Sequence, residues 1–519
     1  MAKTDMISTR KMLYSILSGV MLTASFPPAR LEWMVWFALV PLLKALEGER
    51  GFNAFRLGFF AGLAHYLTLI YWIVVVLDSY GGLNFVMSLS ILILLCVYLS
   101  LYTGIFSLLV SHLDGSRFRL FMIAFVWVSL EYIRAKLLTG FPWCLLGYSQ
   151  FRHLTLIQVA DLTGVYGLSF LILLFNALIY LVIFDHGSKG GRKILRYEIP
   201  VVLLILFLGL AYGHNRLSDD TGRKKKKNSV SVAIIQGNVD QSVKWDPRYK
   251  DETVELYHRL TLTTRDLGPD LVVWPETSLP FFFQDRSEYR DRVLEIARDS
   301  GAGFIVGSPA YKREIEKTKY YNRTYLISPK GELNDYYDKT HLVPFGEYVP
   351  FKKYLPFIHR LVQAAGDFAP GQKIQPLRLT EFSAGVLICF EAIFPELARA
   401  QVKNGAEILV NLTNDAWFGM TSAPYQHLCM SIFRAVENRR PLIRAANTGF
   451  SAFINPDGEI LSRSSLFEEE VLGHKLELGD HGLTFYSRYG DLFIYVILVM
   501  GLIQYFFILC YHRNRTRKK

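Results

Sequence analysis

The stretch "GVLICFEAIFPEL", Gly385 to Leu397, decides how the soluble part of this chain is read. Its apolar run has the length and texture of a buried strand. It ends in Cys389, then an aromatic, Phe390, then Glu391. A buried strand needs no cysteine beside a carboxylate at its end, yet a lone cysteine in such a run is usually a small core residue. Two other stretches shift that reading. "VVWPETSLP", Val272 to Pro280, places Glu276 just after Pro275 at the end of an apolar run. "YYDKTHLVPFGEYVP", Tyr336 to Pro350, carries Lys339 and Glu347. In each, a reactive group sits where an apolar strand meets a loop, and strand ends are where layered α/β proteins build their sites.

The three groups make a chemically complete set. A thiol is mostly protonated at neutral pH and becomes a strong nucleophile when a base takes its proton or a cation stabilises the thiolate. Glu276, at the dry end of a strand, is placed to be that base, since burial raises a carboxyl pKa. Lys339, with the backbone N–H after Cys389, is suited to hold the oxyanion of a tetrahedral intermediate. Base, electrostatic stabiliser and nucleophile together describe acyl transfer.

The rest of the chain is of a different kind. It has 519 residues, 51% of them hydrophobic and 14% aromatic, with mean hydropathy +0.22. That is too long for one domain and too apolar for an ordinary soluble protein. The net charge of +11 comes from Lys and Arg gathered at the ends of apolar segments. This points to membrane orientation and anionic headgroups, not to nucleic acid. Five cysteines show no CxxC pair, and the odd count excludes a full disulfide framework. His341 and His427 are not at metal spacing, so neither a metal nor a cofactor is expected.

Hydropathy places seven spans at about 11–26, 32–46, 54–77, 84–111, 118–138, 160–184 and 197–213, and an eighth at 492–511. The expected division is 1–213 for seven membrane helices, 228–486 for a soluble α/β domain, and 488–519 for the last helix and a basic tail. The first span, which lacks a convincing cleavage site, reads as an uncleaved helix. Lys3, Arg10, Lys11, Arg117, Arg119 and the basic residues between spans six and seven all fall on one side. The positive-inside rule makes that side cytoplasmic and puts the soluble domain in a periplasm-like space. "RKKKK", Arg223 to Lys227, lies against this pattern and reads as a solvated linker. Within the spans, His65 reads as a packing residue, and Glu131 with Arg134 as a pair three apart on one helix. Cys429 is expected to be buried and reduced. Asn322-Arg-Thr and Asn411-Leu-Thr match a glycosylation pattern by coincidence.

Taken in order, Glu276 in "WPE", Lys339 in "DKTHLVPFGE" and Cys389 in "ICFE" resemble the nitrilase (carbon–nitrogen hydrolase) superfamily. "NLTNDAWFG" from Asn411 and "RAVENRRPLIRAANTG" from Arg434 are similar to the same family. That resemblance implies a four-layer α-β-β-α sandwich. With the spans, and with "GFPWCLLGYSQ" from Gly140, "QSVKWDP" around Trp245 and "TFYSRYGDLF" from Thr484, the whole chain resembles the bacterial apolipoprotein N-acyltransferases. The resemblance implies an inner-membrane enzyme, acting as a monomer without a cofactor. It would move a fatty acyl group from a phospholipid, through a thioester on Cys389, to the N-terminal amine of a diacylglyceryl-cysteine apolipoprotein. It implies Glu347 as a second carboxylate positioning Lys339 or substrate, and Trp245, Phe390 and Glu391 as supporting residues. A tyrosine can occur where this chain has Phe390, so the implied role there is packing. Two loops, "SLPFFFQD" from Ser278 and "YLPFIHRLVQAAGDF" from Tyr354, are candidates to dip into the bilayer or close over lipid. The competing readings are a membrane-tethered amidase or nitrilase using the same triad, and a transporter or receptor with a dead sensory domain. Eight spans are more than a tether needs, and an intact triad argues against a dead domain.

Overall fold

A computed structural model of the chain describes residues 7–113, 119–184, 191–218, 228–315, 317–348, 368–479 and 482–516. It divides into two compact units. One comprises Met1–Val74, Val86–Arg216 and Tyr489–Lys519, the other Val75–Phe85 and Leu217–Arg488.

The first unit is helical. Among the described residues, Phe85–Val110, Val165–Phe184 and Tyr197–Ser218 are long and apolar enough to cross a membrane, and Gly51–Leu69 with Trp72–Tyr80 is a fourth if the bent pair counts as one span. By this measure the expected count of about eight is not reached. Thr9–Ala24 has 16 residues, about 24 Å of helix, against a hydrocarbon core of about 30 Å. The expected span 32–46 is instead a 3₁₀ turn, Glu32–Trp36, followed by the short helix Val40–Ala45. The expected third span breaks after Leu69 with a 49° bend and ends in a π turn, Val76–Tyr80.

Irregular backbone in an apolar interior survives only if its polar groups find partners. Asn176, buried on the helix Val165–Phe184, donates to the Val35 carbonyl at 2.8 Å and accepts from the Leu39 N–H at 2.9 Å. Gln150 donates to the Glu32 carbonyl at 3.0 Å and accepts from the Trp36 indole at 3.1 Å. Glu131 does not form the expected pair with Arg134 as its main contact. Its Oε1 accepts from the Trp127 indole at 3.0 Å and the Leu146 N–H at 2.9 Å, pinning the buried "GFPWCLLGYSQ" loop. His65 is buried, with Nδ1 2.9 Å from the Thr23 hydroxyl. Small residues bring helices close: a Cβ on Gly58 would lie 2.3 Å from the Thr103 carbonyl.

Among the described residues the second unit holds twelve strands: β1 (Asn228–Gln236), β2 (Leu271–Val273), β3 (Gly303–Arg313), β4 (Thr318–Ile327), β5 (Leu333–Asp338), β6 (Leu377–Arg378), β7 (Ser383–Ile388), β8 (Ile408–Thr413), β9 (Leu442–Ala446), β10 (Ala452–Ile454), β11 (Ile460–Arg463) and β12 (Glu470–Leu478). They form two six-stranded sheets, ordered β12-β1-β2-β3-β4-β5 and β11-β10-β9-β8-β7-β6. The centres are parallel, β1 to β3 in one sheet and β7 to β9 in the other, with antiparallel flanks. Strand alternation assigns the faces. Val232, Ile234, Val273, Val386, Ile388 and Val410 meet between the sheets. Ala233, Ile235, Val272 and Phe304 face outward onto helices Lys250–Leu262 and Glu288–Ser300 through Val254, Tyr257, Val293 and Ile296. Helices Pro395–Lys403 and Ala423–Asn438 pack on β7 and β9 of the second sheet. This is the expected four-layer α-β-β-α sandwich.

The Glu131 contacts predict that Glu131→Ala strands a buried N–H at Leu146 and lowers stability by about 1–3 kcal/mol. Glu131→Gln, which keeps one acceptor, should lose less. Thermal unfolding in detergent micelles, followed by tryptophan fluorescence, measures the difference.

Candidate active site

Three strand ends converge. Cys389 directly follows β7, Glu276 lies just beyond β2, and Lys339 directly follows β5. The backbone at each junction is tight. Cys389 itself has φ of 51°, Thr277 next to Glu276 has 46°, and Phe345 near Glu347 has 62°. Non-glycine residues in this left-handed region carry strain, which clusters where the fold holds a side chain for function.

Lys339 is 1% exposed. Its Nζ lies 2.9 Å from Glu347 Oε1 and 3.7 Å from Glu276 Oε1. Burial alone would lower its pKa, but the carboxylates of Glu347 and Glu276 outweigh burial and raise it, so the ammonium stays charged. Glu276 is 6% exposed. It is held by neutral donors: Oε1 accepts from Asn322 Nδ2 at 2.8 Å and Oε2 from the Asn414 N–H at 2.8 Å. Burial pushes its carboxyl above the ordinary range; Lys339 opposes this and Glu347 adds to it. Burial also raises the Cys389 thiol, with Glu276 adding and Lys339 opposing. At rest the sulfur is therefore a neutral thiol beside a carboxyl of raised basicity. The arrangement suits a base that removes the proton as the sulfur attacks, and not a preformed thiolate.

Two further carboxylates are tied into the site by several hydrogen bonds each. Glu347 Oε1 takes Lys339 and Asn322, and Oε2 takes the Val343 N–H at 2.8 Å. Glu391 is fully buried. Its Oε1 accepts from the Thr340 N–H (2.7 Å) and hydroxyl (2.8 Å), the Tyr337 hydroxyl (3.0 Å) and the His341 N–H (3.1 Å), while Oε2 accepts from the Ile388 N–H at 2.7 Å. One side chain thus ties the segment carrying Lys339 to the turn carrying Cys389. Phe390 packs edge-on against Phe394 at 5.3 Å and near His341 at 6.2 Å, a packing position.

Trp245 is 47% exposed and lines an apolar groove of about 730 Å³ with Phe281, Phe282, Tyr320 and Phe368. The groove shares its walls with the site: the Phe368 N–H donates to the Glu347 carbonyl at 3.0 Å. The three consecutive phenylalanines divide. Phe283 is fully buried against Tyr325, and Phe281, at the floor of the groove, is buried in the same outer core. Phe282 faces the groove, edge-on to Tyr311 at 5.0 Å. Core packing therefore accounts for two of the three. Most of the second candidate loop, 354–367, and the Arg223–Lys227 run lie outside the described residues.

Sequence reading missed four residues at the site. Asn322, dismissed as a chance glycosylation match, bridges Glu276 and Glu347. Asn414 and His427 adjoin Glu276 and Cys389. Buried Lys244 sets Nζ 3.3 Å from the Glu276 carbonyl, and burial lowers its pKa to about 8. The signal for Lys244 and Asn414 was their place in stretches already singled out. Cys429 is buried and free, its thiol donating to the Gln426 carbonyl at 3.0 Å.

The split among the phenylalanines is testable. Phe283→Ala should cost about 3–5 kcal/mol of stability, the usual penalty for emptying a core aromatic site. Phe282→Ala, which empties no core site, should melt close to the parent. Thermal unfolding of the two variants separates them.

Comparison with known proteins agrees with this architecture. The family model of the apolipoprotein N-acyltransferase N-terminal domain matches residues 18–178, and that of carbon–nitrogen hydrolase matches residues 231–484. The chain is 46% identical to the apolipoprotein N-acyltransferase of Geobacter metallireducens over 94% of its own length and 93% of the relative's. It is 30% identical to that of Pasteurella multocida over 94% of each. Among solved structures, a carbon–nitrogen hydrolase from Helicobacter pylori aligns with TM-score 0.38 and 19% identity, covering 48% of this chain and 90% of that one. The chain belongs to the apolipoprotein N-acyltransferase family.

Proposed function

We propose that the protein transfers a fatty acyl group from a membrane phospholipid to the α-amine of a diacylglyceryl-cysteine at the N-terminus of an apolipoprotein. The observation that carries this reading is the reach of the similarity, which covers 94% of the chain and so takes in the apolar helices as well as the catalytic fold. Glu276, Lys339 and Cys389 are its catalytic residues, with Glu347, Glu391, Phe390 and Trp245 in support. Residues 1–213 and 488–519 anchor the chain in the inner membrane, and residues 228–486 act on the periplasmic side. One chain carries all three groups, and its working form is proposed to be the monomer.

In the first stage Cys389 Sγ attacks the ester carbonyl carbon while Glu276 takes the thiol proton. The carbonyl π pair becomes an oxyanion held by Lys339 Nζ and the Phe390 N–H. Collapse breaks the ester C–O bond, and the departing lyso-phospholipid oxygen takes the proton from Glu276. In the second stage the α-amine attacks the thioester and Glu276 accepts an amine proton. Collapse breaks the C–S bond, leaving the amide and returning the proton to Cys389. The groove beside Trp245 and Phe282 is an apolar seat for the acyl chain, consistent with a donor drawn from lipid.

Incubation of the purified protein with phospholipid alone should give an acyl adduct on Cys389, seen by mass spectrometry. The adduct should persist in water and pass to a diacylglyceryl peptide. Rapid release of free fatty acid, or amide hydrolysis without lipid, points to a tethered hydrolase instead; no adduct, with Cys389→Ala behaving as the parent, sinks both readings. The rate of adduct formation should also depend on pH in a defined sense. Glu276 works as the carboxylate and its pKa is raised. Acylation should therefore fall as pH drops through a limb lying above the ordinary carboxylate range of about 4.3, and Glu276→Gln should abolish it.

A further inference from the structure

Behind the nucleophile lies a buried polar network that the triad mechanism does not use. The Cys389 carbonyl faces two donors, His427 Nε2 at 3.2 Å and Asn411 Nδ2 at 3.4 Å. Arg444 holds both from the far side. It donates through Nη1 to Asn411 Oδ1, and through Nη2 to Asp415 Oδ2 at 2.7 Å. The same Nη2 lies 3.1 Å from His427 Nδ1, and Asp415 Oδ1 lies 3.1 Å from that nitrogen as well. All four side chains are buried. A carbonyl oxygen only accepts, so Nε2 carries a proton toward Cys389; Nδ1 lies between a donor, Arg444, and an acceptor, the Asp415 carboxylate. Burial and Arg444 hold the His427 pKa below its usual value, with Asp415 opposing them.

A trans peptide is planar, and its C=O and N–H point in opposite directions. Fixing the Cys389 carbonyl therefore fixes the direction of the Phe390 N–H, the backbone donor to the oxyanion. Cys389 at φ of 51° is in a sparsely populated conformation that needs outside support. We infer that His427, with Asn411, is a positioning residue that locks the Cys389–Phe390 peptide plane and so aims the Phe390 N–H at the developing oxyanion. The hydrogen bond to the carbonyl also polarises the peptide and strengthens its N–H as a donor.

This inference rests on the acyl-transfer reading for its chemistry, and two reactions of the full-length protein in detergent separate the two. Acylation of Cys389 by p-nitrophenyl butyrate, read as a p-nitrophenolate burst, passes through a tetrahedral oxyanion. Alkylation of Cys389 by iodoacetamide needs the sulfur but no oxyanion. His427→Leu should slow the burst about tenfold to a hundredfold, below the loss typical of deleting a direct oxyanion donor, and leave alkylation within about twofold of the parent. His427→Gln, which restores an N–H donor, should recover part of the burst. Asn411→Ala removes the other donor and should show the same selective loss, which keeps the test available if the leucine variant does not fold. An unchanged burst, or equal falls in burst and alkylation, overturns the inference. A parent protein that is acylated by the p-nitrophenyl ester but never by phospholipid overturns the proposed function and leaves this inference standing.

Discussion

A single buried ammonium shared by two carboxylates governs this site. Lys339 has almost no contact with water, so its charge must be met by protein groups. Its closer partner is Glu347 at 2.9 Å, with Glu276 at 3.7 Å. The difference matters for chemistry. A carboxylate in full contact with a cation is a poor base, because the cation stabilises its charged form. Glu347 takes the lysine's closest contact, and Glu276 is held in place by an amide and a backbone N–H. It is thus fixed in space yet left with raised basicity. Burial raises the Cys389 thiol as well, so in the proposed reaction both the base and the group it deprotonates are shifted in the same direction.

The parts of this arrangement differ in how far a sequence exposes them. Glu276, Lys339 and Cys389 each end an apolar run, and strand alternation is local, so their junctions could be found by pattern. Glu391 could not be assigned, although it stands two residues from the nucleophile. Its partners Tyr337, Thr340 and His341 come from another sheet, about fifty residues away in the chain. Asn322 looked like a coincidental tripeptide because its meaning lies in β4, whose pairing with β3 and β5 sets it beside Glu276. His427 was weighed as a metal ligand, whereas its partners are a backbone carbonyl and a buried ion pair.

The membrane unit shows the same limit from the other side. Hydropathy reads residues 32–46 as a span because their side chains are apolar. The backbone is nonetheless irregular there, sustained by Asn176 and Gln150 from far along the chain. A polar residue in the middle of an apolar helix was the available clue, since such a residue is costly unless something needs it. The three phenylalanines after Glu276 make a similar point: consecutive positions in an irregular loop follow no period, so only their neighbours decide which are core and which face the groove.

The Glu391 tether bears on how such a site changes substrates. In the proposed two-stage reaction a bulky alcohol must leave and a bulky amine enter at the same sulfur. Five hydrogen bonds to one buried carboxylate join the cation's segment to the nucleophile's turn, so these two parts cannot separate between stages without exposing a network that has no water to fall back on. Traffic must then be handled by whatever is loosely held. In the described part of the catalytic unit, the exposed edge of the groove is its aromatic rim, with Trp245 half in solvent and Phe282 against Tyr311 and Tyr320. The division of labour is that of a fixed die with a movable feed: the chemistry stays registered through both stages, and exchange happens at the edge.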